Sequence, residues 1–289
     1  MTVYELLLVF IGIFMVGCLV SIWYASTHFH KVFYRLSSTK ISKPVKLVLL
    51  SDLHDTRYGA DNEKLLQAIY EEQPDGILIA GDMLTAAHKR KTRVAEDFVE
   101  ALSARYPVYY GLGNHEAKMG WNRAKYGAAQ SDFLKRISDA GVRVLQNEHA
   151  EFAGANICIY GLDMEEAYYK RGRQTPMEED YVAQKLGENA SHKYNILLAH
   201  NPAYFDTYAN WQPDLVVSGH VHGGLVRLPV FGGVIAPSLK LFPKYDGGRF
   251  ISRSATMILS RGLGIHSIEF RMWNPGEVIV AEIAPAAKE

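Results

Sequence analysis

Cysteine is nearly absent: two residues in 289, Cys18 inside an apolar stretch and Cys158 inside a strand-like one. That count excludes a disulfide framework and argues against a thiolate-built structural zinc site. An excess of either charge sign is also missing, with 31 Lys plus Arg against 31 Asp plus Glu. Such balance leaves no electrostatic case for nucleic-acid binding, which depends on neutralising phosphates. No internal repeat or low-complexity tract is present. Finally, no basic residue precedes the first apolar run, where Glu5 is the sole charge, and a secretory signal needs a basic start.

What is there begins with that run. Leu6 to Trp23 is uncharged and about 18 residues long, close to what a helix needs to cross a bilayer. Trp23 and Tyr24 stand where interfacial aromatics stand. Residues 1–24 therefore read as a retained single-pass anchor. Lys31, Arg35, Lys40, Lys43 and Lys46 follow with no acidic residue among them, so residues 25–44 read as a basic juxtamembrane linker able to lie on anionic headgroups. The same charges favour the cytoplasmic side for everything after the anchor.

Residues 45–285 read as one globular domain. Hydrophobic residues make up 48% of the chain and charged ones 21%, ordinary for an enzyme. Val45–Leu50, Gly76–Ala80 and Pro107–Leu112 are strand-like, and helical spacing separates them at Glu63–Glu72 and Val94–Leu102. A helix is expected around Phe133–Ile137. Further strands are expected at Val142–Leu145, Ile157–Tyr160, Asn195–Ala199, Leu215–Val217, Ala255–Leu259, Ser267–Arg271 and Val278–Ile283. The charged stretch from Glu165 to Gly187 reads as a surface insertion. Alternating strand and helix argues for sheets packed by helices, with ligands gathering beyond the carboxyl ends of the strands.

Every polar cluster falls at such an end: Asp52 and His54, Asp82, Asn114 and His115, His200, and the pair His220 and His222. Imidazole, carboxylate and amide oxygen together suit Mn, Fe or Zn. Two histidines one residue apart point to opposite sides, which suits two neighbouring ions better than one. Two ions about 3.5–4 Å apart require a shared carboxylate. Singly, each Asp could be a turn residue and each His a structural one; five clusters together make that reading untenable.

The ordered set Asp52-x-His54, Gly81-Asp82, Gly113-Asn114-His115-Glu116, His200 and Gly219-His220-x-His222 resembles the calcineurin-like metallophosphoesterases over about residues 45–283. Within them it is most similar to the bacterial membrane-anchored branch, which includes UDP-2,3-diacylglucosamine pyrophosphatases and phosphodiesterases. Gly223–Pro229 and Ser260–Gly264 carry that likeness. The resemblance implies an α/β fold, a four-layer α/β/β/α sandwich, here preceded by one transmembrane helix. It implies two divalent ions, with manganese expected. One is held by Asp52, His54, Asp82 and His222, the other by Asp82, Asn114, His200 and His220. It further implies attack on phosphorus by a hydroxide bridging the ions. His115 would protonate the leaving group or stabilise the transition state.

Substrate contacts are less legible. Arg123, Arg227 and Arg261 are candidates for a phosphate. Leu225 to Phe242 mixes apolar residues with Arg227, Lys240 and Lys244; it reads either as ordinary packing or as an apolar lip for a lipid-linked phosphoester. Trp121, Arg123, Lys125 and Tyr126 could cap the same cleft. His266 is expected to approach the site, and His88 to lie away from it. The competing functions are a phosphomonoesterase or protein phosphatase with the same metal centre, and a binding module that has lost its chemistry. The intact ligand set argues against the module.

Overall fold

The computed structural model describes the chain except residues 87–92, 171, 173, 229–231, 236–240, 265–269 and 287–289. A 25-residue helix, α1 (Val3–Thr27), comes first. Thr2 and Glu5 close its start as a capping box. At 1.5 Å per residue it is roughly 37 Å long, enough for a bilayer core. Its most apolar 18-residue window has a mean hydropathy of 2.7 and none of it is buried in the protein.

Two six-stranded sheets follow. The first runs in the order Phe29–Ser38 (β1), Gly276–Pro285 (β14), Val45–Leu50 (β2), Gly76–Ile79 (β3), Val108–Gly111 (β4), Arg143–Leu145 (β5). The second runs Gly248–Ser252 (β12), Ala255–Leu259 (β13), Leu215–Ser218 (β9), Tyr194–Leu198 (β8), Ile157–Gly161 (β7), Glu148–Glu151 (β6). Strands β2, β3 and β4 are parallel to one another, as are β7, β8 and β9. Being covered on both faces, these strands read as unbroken apolar runs rather than alternations.

The sheets pack face to face through Leu47, Leu49, Leu78, Ile159, Ile196, Leu198, Val217 and Ile258, all buried. On the outer face of the first sheet lie α2 (Glu63–Glu72), α3 (Val94–Ser103) and α6 (Ala129–Asp139), through Leu65, Ile69, Phe98, Val99, Phe133 and Ile137. On the outer face of the second lie α7 (Tyr181–Leu186) and α8 (Phe205–Asn210), through Val182, Phe205 and Tyr208. The four layers expected from the sequence are present. Truncating an inter-sheet leucine such as Leu49 to Ala should cost about 2–5 kcal/mol.

The stretch 25–44 differs from expectation. It is not a linker: β1 pairs in parallel with β14 over ten positions, from Phe29 opposite Gly276 to Ser38 opposite Pro285. Val32, Tyr34 and Leu36 face the inter-sheet layer, while the basic residues occupy the alternate positions. Those charges find partners in the domain itself. Lys31 pairs with Glu72 at 2.6 Å and Lys40 with Asp214 at 2.8 Å, and Lys46 donates to the Glu72 carbonyl at 2.9 Å. A period-two alternation was hidden by the charge on its outer face.

The stretch 165–187 also differs from a plain insertion. It contains a 3-10 turn at Glu166–Tyr169 and α7, and its Tyr181 and Val182 are buried against the second sheet. Of the strand expected at Ser267–Arg271, residues 267–269 lie outside the described residues. The two-stranded hairpin of Val226–Leu228 (β10) and Gly232–Ile235 (β11) follows the histidine pair.

Candidate metal centre

Five loops leave the carboxyl ends of β2, β3, β4, β8 and β9 and converge. The backbone turns sharply as each strand ends. Asp52, His54, Asp82, His220 and His222 all have φ between 49° and 73°, the left-handed region. For side chains other than glycine this costs roughly 1–2 kcal/mol per residue. It persists because the loops hold one another. Asp52 N–H donates to the Gly81 carbonyl at 3.0 Å, His54 N–H to Asp82 at 3.2 Å, and Gly219 N–H to His200 at 3.0 Å. Gly219 is required by space: a Cβ there would fall 2.2 Å from Asp52 Oδ2.

The side chains form two donor groups joined by a third. Asp52, His54 and His222 bring one ligand atom each within 4.8 Å of one another, so do Asp82, His200 and His220, and so do His54, Asp82 and His115, the set that joins them. The two histidines of the β9 loop thus serve different groups, as their spacing requires. The groups touch: His54 Nε2 is 3.8 Å from Asp82 Oδ2, and His200 Nε2 is 3.8 Å from Asp52 Oδ1. Asp82 Oδ2 and His200 Nε2 approach to 3.0 Å with neither meeting hydrogen-bond geometry. Asn114 Oδ1 is buried and accepts no hydrogen bond. Buried acceptors in that condition, ringed by imidazoles, fit cations.

Tautomers are fixed from behind. His200 Nδ1 lies 2.6 Å from the Ala80 carbonyl and His222 Nδ1 3.2 Å from the Gly264 carbonyl. Each nitrogen must donate there, which leaves Nε2 as the nitrogen facing the carboxylates and able to ligate once it is deprotonated. His115 is reversed: its Nδ1 accepts from Ala86 N–H at 2.9 Å, so Nε2 carries the proton. Desolvation lowers the pKa of His115, favouring that neutral ring.

Charge in the centre is balanced by protons. Burial pushes the Asp52 carboxyl up to about 6. For Asp82 burial acts the same way, but the imidazoles of His200, His115 and His54 outweigh it and hold the carboxylate well below its ordinary range. Burial also disfavours the His200 imidazolium, yet Asp82 and Asp52 raise it to about 10.

Four supporting groups have roles that the sequence does not display, one of them, Glu116, inside the motif itself. Glu116 is fully buried and accepts from the backbone N–H of Asp82, Met83 and Gly113 at 2.9, 3.0 and 3.0 Å and from the Tyr110 hydroxyl at 2.7 Å. Asn274 donates to the carbonyls of His222 and Gly224 at 2.6 and 2.7 Å. Buried Arg271 donates to the carbonyls of Gly262 and Arg261. Tyr169 was hidden in the presumed insertion; its ring stands 5.5 Å from His220 and 6.3 Å from His200. Trp121 packs on Tyr169 at 5.9 Å and so reaches the cleft wall.

The arginine candidates fare differently. Arg123 is exposed on the short helix α5 (Arg123–Tyr126). Arg227 is paired with Asp246 at 3.0 Å, and Arg261 with Glu277 at 2.6 Å. Both lie beside the histidine loop, Arg227 donating to the Gly223 carbonyl and Arg261 flanking Gly223. His88 and His266 lie outside the described residues, as do Val230, Phe231, Leu239 and Lys240 of the apolar lip.

Comparison with known proteins agrees with this geometry. The family model described as calcineurin-like phosphoesterase matches residues 45–224. A metallophosphoesterase of Campylobacter jejuni is 26% identical over 285 residues, covering 97% of this chain and 70% of its own. The phosphodiesterase YaeI of Escherichia coli is 24% identical, covering 67% of this chain and 66% of its own. A zebrafish transmembrane protein with a metallophosphoesterase domain is 27% identical, covering 81% of this chain and 52% of its own. With the family model spanning most of the sandwich and the loops converging on two joined donor groups, the chain belongs to the calcineurin-like phosphoesterase family and is a phosphoester hydrolase.

Proposed function

We propose that the chain is a membrane-anchored phosphodiesterase or pyrophosphatase that works through two divalent ions, manganese in the first instance. One ion takes Asp52, His54, Asp82 and His222; the other takes Asp82, Asn114, His200 and His220. The observation that carries this reading is the pair of joined donor groups with Asp82 between them. Bound there, two cations would polarise a phosphoryl oxygen and activate a water at neutral pH.

The chain's own residues do the rest. His115, held with its proton on Nε2, donates a hydrogen bond to the leaving or a non-bridging oxygen. The Ala86 N–H opposes a second proton on Nδ1, so the ring stabilises the transition state as a neutral donor rather than as an imidazolium acid. Glu116 keeps the Asp82 and Asn114 loops at a fixed separation. Tyr169 and Trp121 wall the cleft on the side of His220.

The helix α1 supports a single-pass anchor, and the basic residues after it support a cytoplasmic catalytic domain. A lipid-linked substrate such as UDP-2,3-diacylglucosamine fits an anchored enzyme with apolar residues after His222. The test is hydrolysis of bis(p-nitrophenyl) phosphate against p-nitrophenyl phosphate by the full chain, stripped and reloaded with manganese. Metal-dependent cleavage favouring the diester is expected. A preference for the monoester would replace this reading with a phosphomonoesterase, and no metal-dependent cleavage of either would leave a binding module.

A further inference from the structure

The helix and the metal centre meet at the same edge of the sandwich. Only His28 separates α1 from β1. Phe29 aligns with Gly276 at the start of β14, and β14 runs antiparallel to β2, so this edge lies beside the end of β2 that leads into Asp52. Phe29 packs edge-on against Tyr58, ring centroids 5.0 Å apart, a few residues past His54. With β1 built into the sheet, no tether lets the domain swing away.

A second contact fixes the level. The backbone N–H of Trp273 donates to Ser21 Oγ at 2.8 Å. Ser21 precedes Trp23 and Tyr24, and two to three residues of helix rise amount to ~3–5 Å. Trp23 and Tyr24 are the aromatic pair at the end of the span, where such residues sit among headgroups. Trp273 is therefore held at that level or slightly deeper.

From Trp273 a small sheet runs outward. Met272 N–H donates to the Leu225 carbonyl at 2.9 Å and Arg227 N–H to Met272 at 3.1 Å. β10 pairs with β11, Ile235 bridges to Leu241, and Phe242 N–H donates to Val234 at 2.9 Å. Among the described residues it exposes three large apolar side chains, Leu241 at 61%, Phe242 at 62% and Trp273 at 38%, with the exposed Lys244 beside them. The next residue after Trp273 is Asn274, which holds the His222 loop. At 3.8 Å per Cα step, the interface contact and the metal centre are on the order of 10 Å apart.

We propose that this strip is a bilayer-seating surface. Leu241, Phe242 and Trp273 enter the boundary between headgroups and acyl chains, which seats the loops of the metal centre at headgroup level. The inference rests on α1 as a span and on the phosphoesterase reading of the site.

The test uses the full chain with Cys18→Ser, reconstituted into vesicles of phosphatidylethanolamine and phosphatidylglycerol. Cys158 is buried and stays unlabelled. A nitrobenzoxadiazole label goes on Phe242→Cys, on Leu241→Cys, or on Lys43→Cys in the exposed loop at the far end of β1. Ten strand residues put that control roughly 30 Å away. The labels at 241 and 242 should show blue-shifted emission and lose intensity to shallow nitroxide lipids, while the label at 43 stays water-like. Vesicle-bound chain with all three labels water-like would overturn the proposal. Failure of the chain to float with the vesicles would overturn it too, through the anchor. Soluble-diester hydrolysis on the same samples reports the metal centre separately, so loss of one reading is not mistaken for loss of the other.

Discussion

The two sheets each supply half of the proposed metal centre and hold it by different means. Of the half on β2, β3 and β4, the β3 and β4 loops are locked locally. One carboxylate, Glu116, gathers the backbone of Asp82, Met83 and Gly113, all from the same run of three parallel strands. The half on β9 is locked from a distance. Asn274 and Arg271, some fifty residues further along, hold the His222 and Gly262 backbones. The two locks meet at Asp52, whose carboxylate accepts from the His220 N–H at 3.0 and 3.1 Å. The same segment touches α1 through Trp273, so the distant lock is also the one nearest the bilayer.

The substitution with the largest expected effect erases the comparison, because it removes what the halves share. Asp82→Ala should abolish activity and empty both metal positions, read by activity and by metal analysis of the purified protein. Retention of two ions would mean the halves do not share that carboxylate. Next in size is His115→Ala, which should keep both ions and lower kcat about 10²–10³-fold, as removal of a transition-state donor does. The loss should be similar for good and poor leaving groups. A loss confined to poor ones would return His115 to the role of acid.

Smaller effects separate the halves. Partners behind a metal ligand typically contribute about 10–100-fold to affinity. Asn274→Ala should weaken only the ion bound with His222, whereas Glu116→Gln should weaken both through Asp82, each followed by metal titration with circular dichroism as a check on folding. Equal weakening of both ions by Asn274→Ala would break the distinction. The smallest effect is on protons. Metal must displace the proton on His200, whose pKa is about 10, and below about pH 6 the one on Asp52 as well. Affinity should therefore fall as pH is lowered from 8 to 5, and proton release per ion should rise, measured by calorimetry in buffers of different ionisation enthalpy. Affinity that does not change over this range would place other groups at the ions.

The local half was also the legible one. Asp52, His54, Asp82, Asn114 and His115 announce themselves as polar residues at the ends of apolar strands, and the spacing of His220 and His222 carried their opposite directions. What stayed hidden depends on long-range contact. Arg271 closes a strand-like run in the sequence, yet it is 1% exposed because three backbone carbonyls of the site loops surround its guanidinium. Tyr169 sits in a charged stretch without periodicity and becomes a wall of the cleft only through the fold of α7 and its neighbours. In β1, charges on the outer face masked the inward Val32, Tyr34 and Leu36. Each miss is a place where composition pointed to solvent and the partner lay far along the chain.

What unites the two halves is the proposed pair of ions sharing Asp82. The most direct measurement is titration of manganese into the metal-stripped, detergent-solubilised full chain, followed by electron paramagnetic resonance. Two ions per chain with the spectrum of a spin-coupled pair are expected. One ion per chain, or two with the spectrum of isolated manganese, would contradict the shared centre.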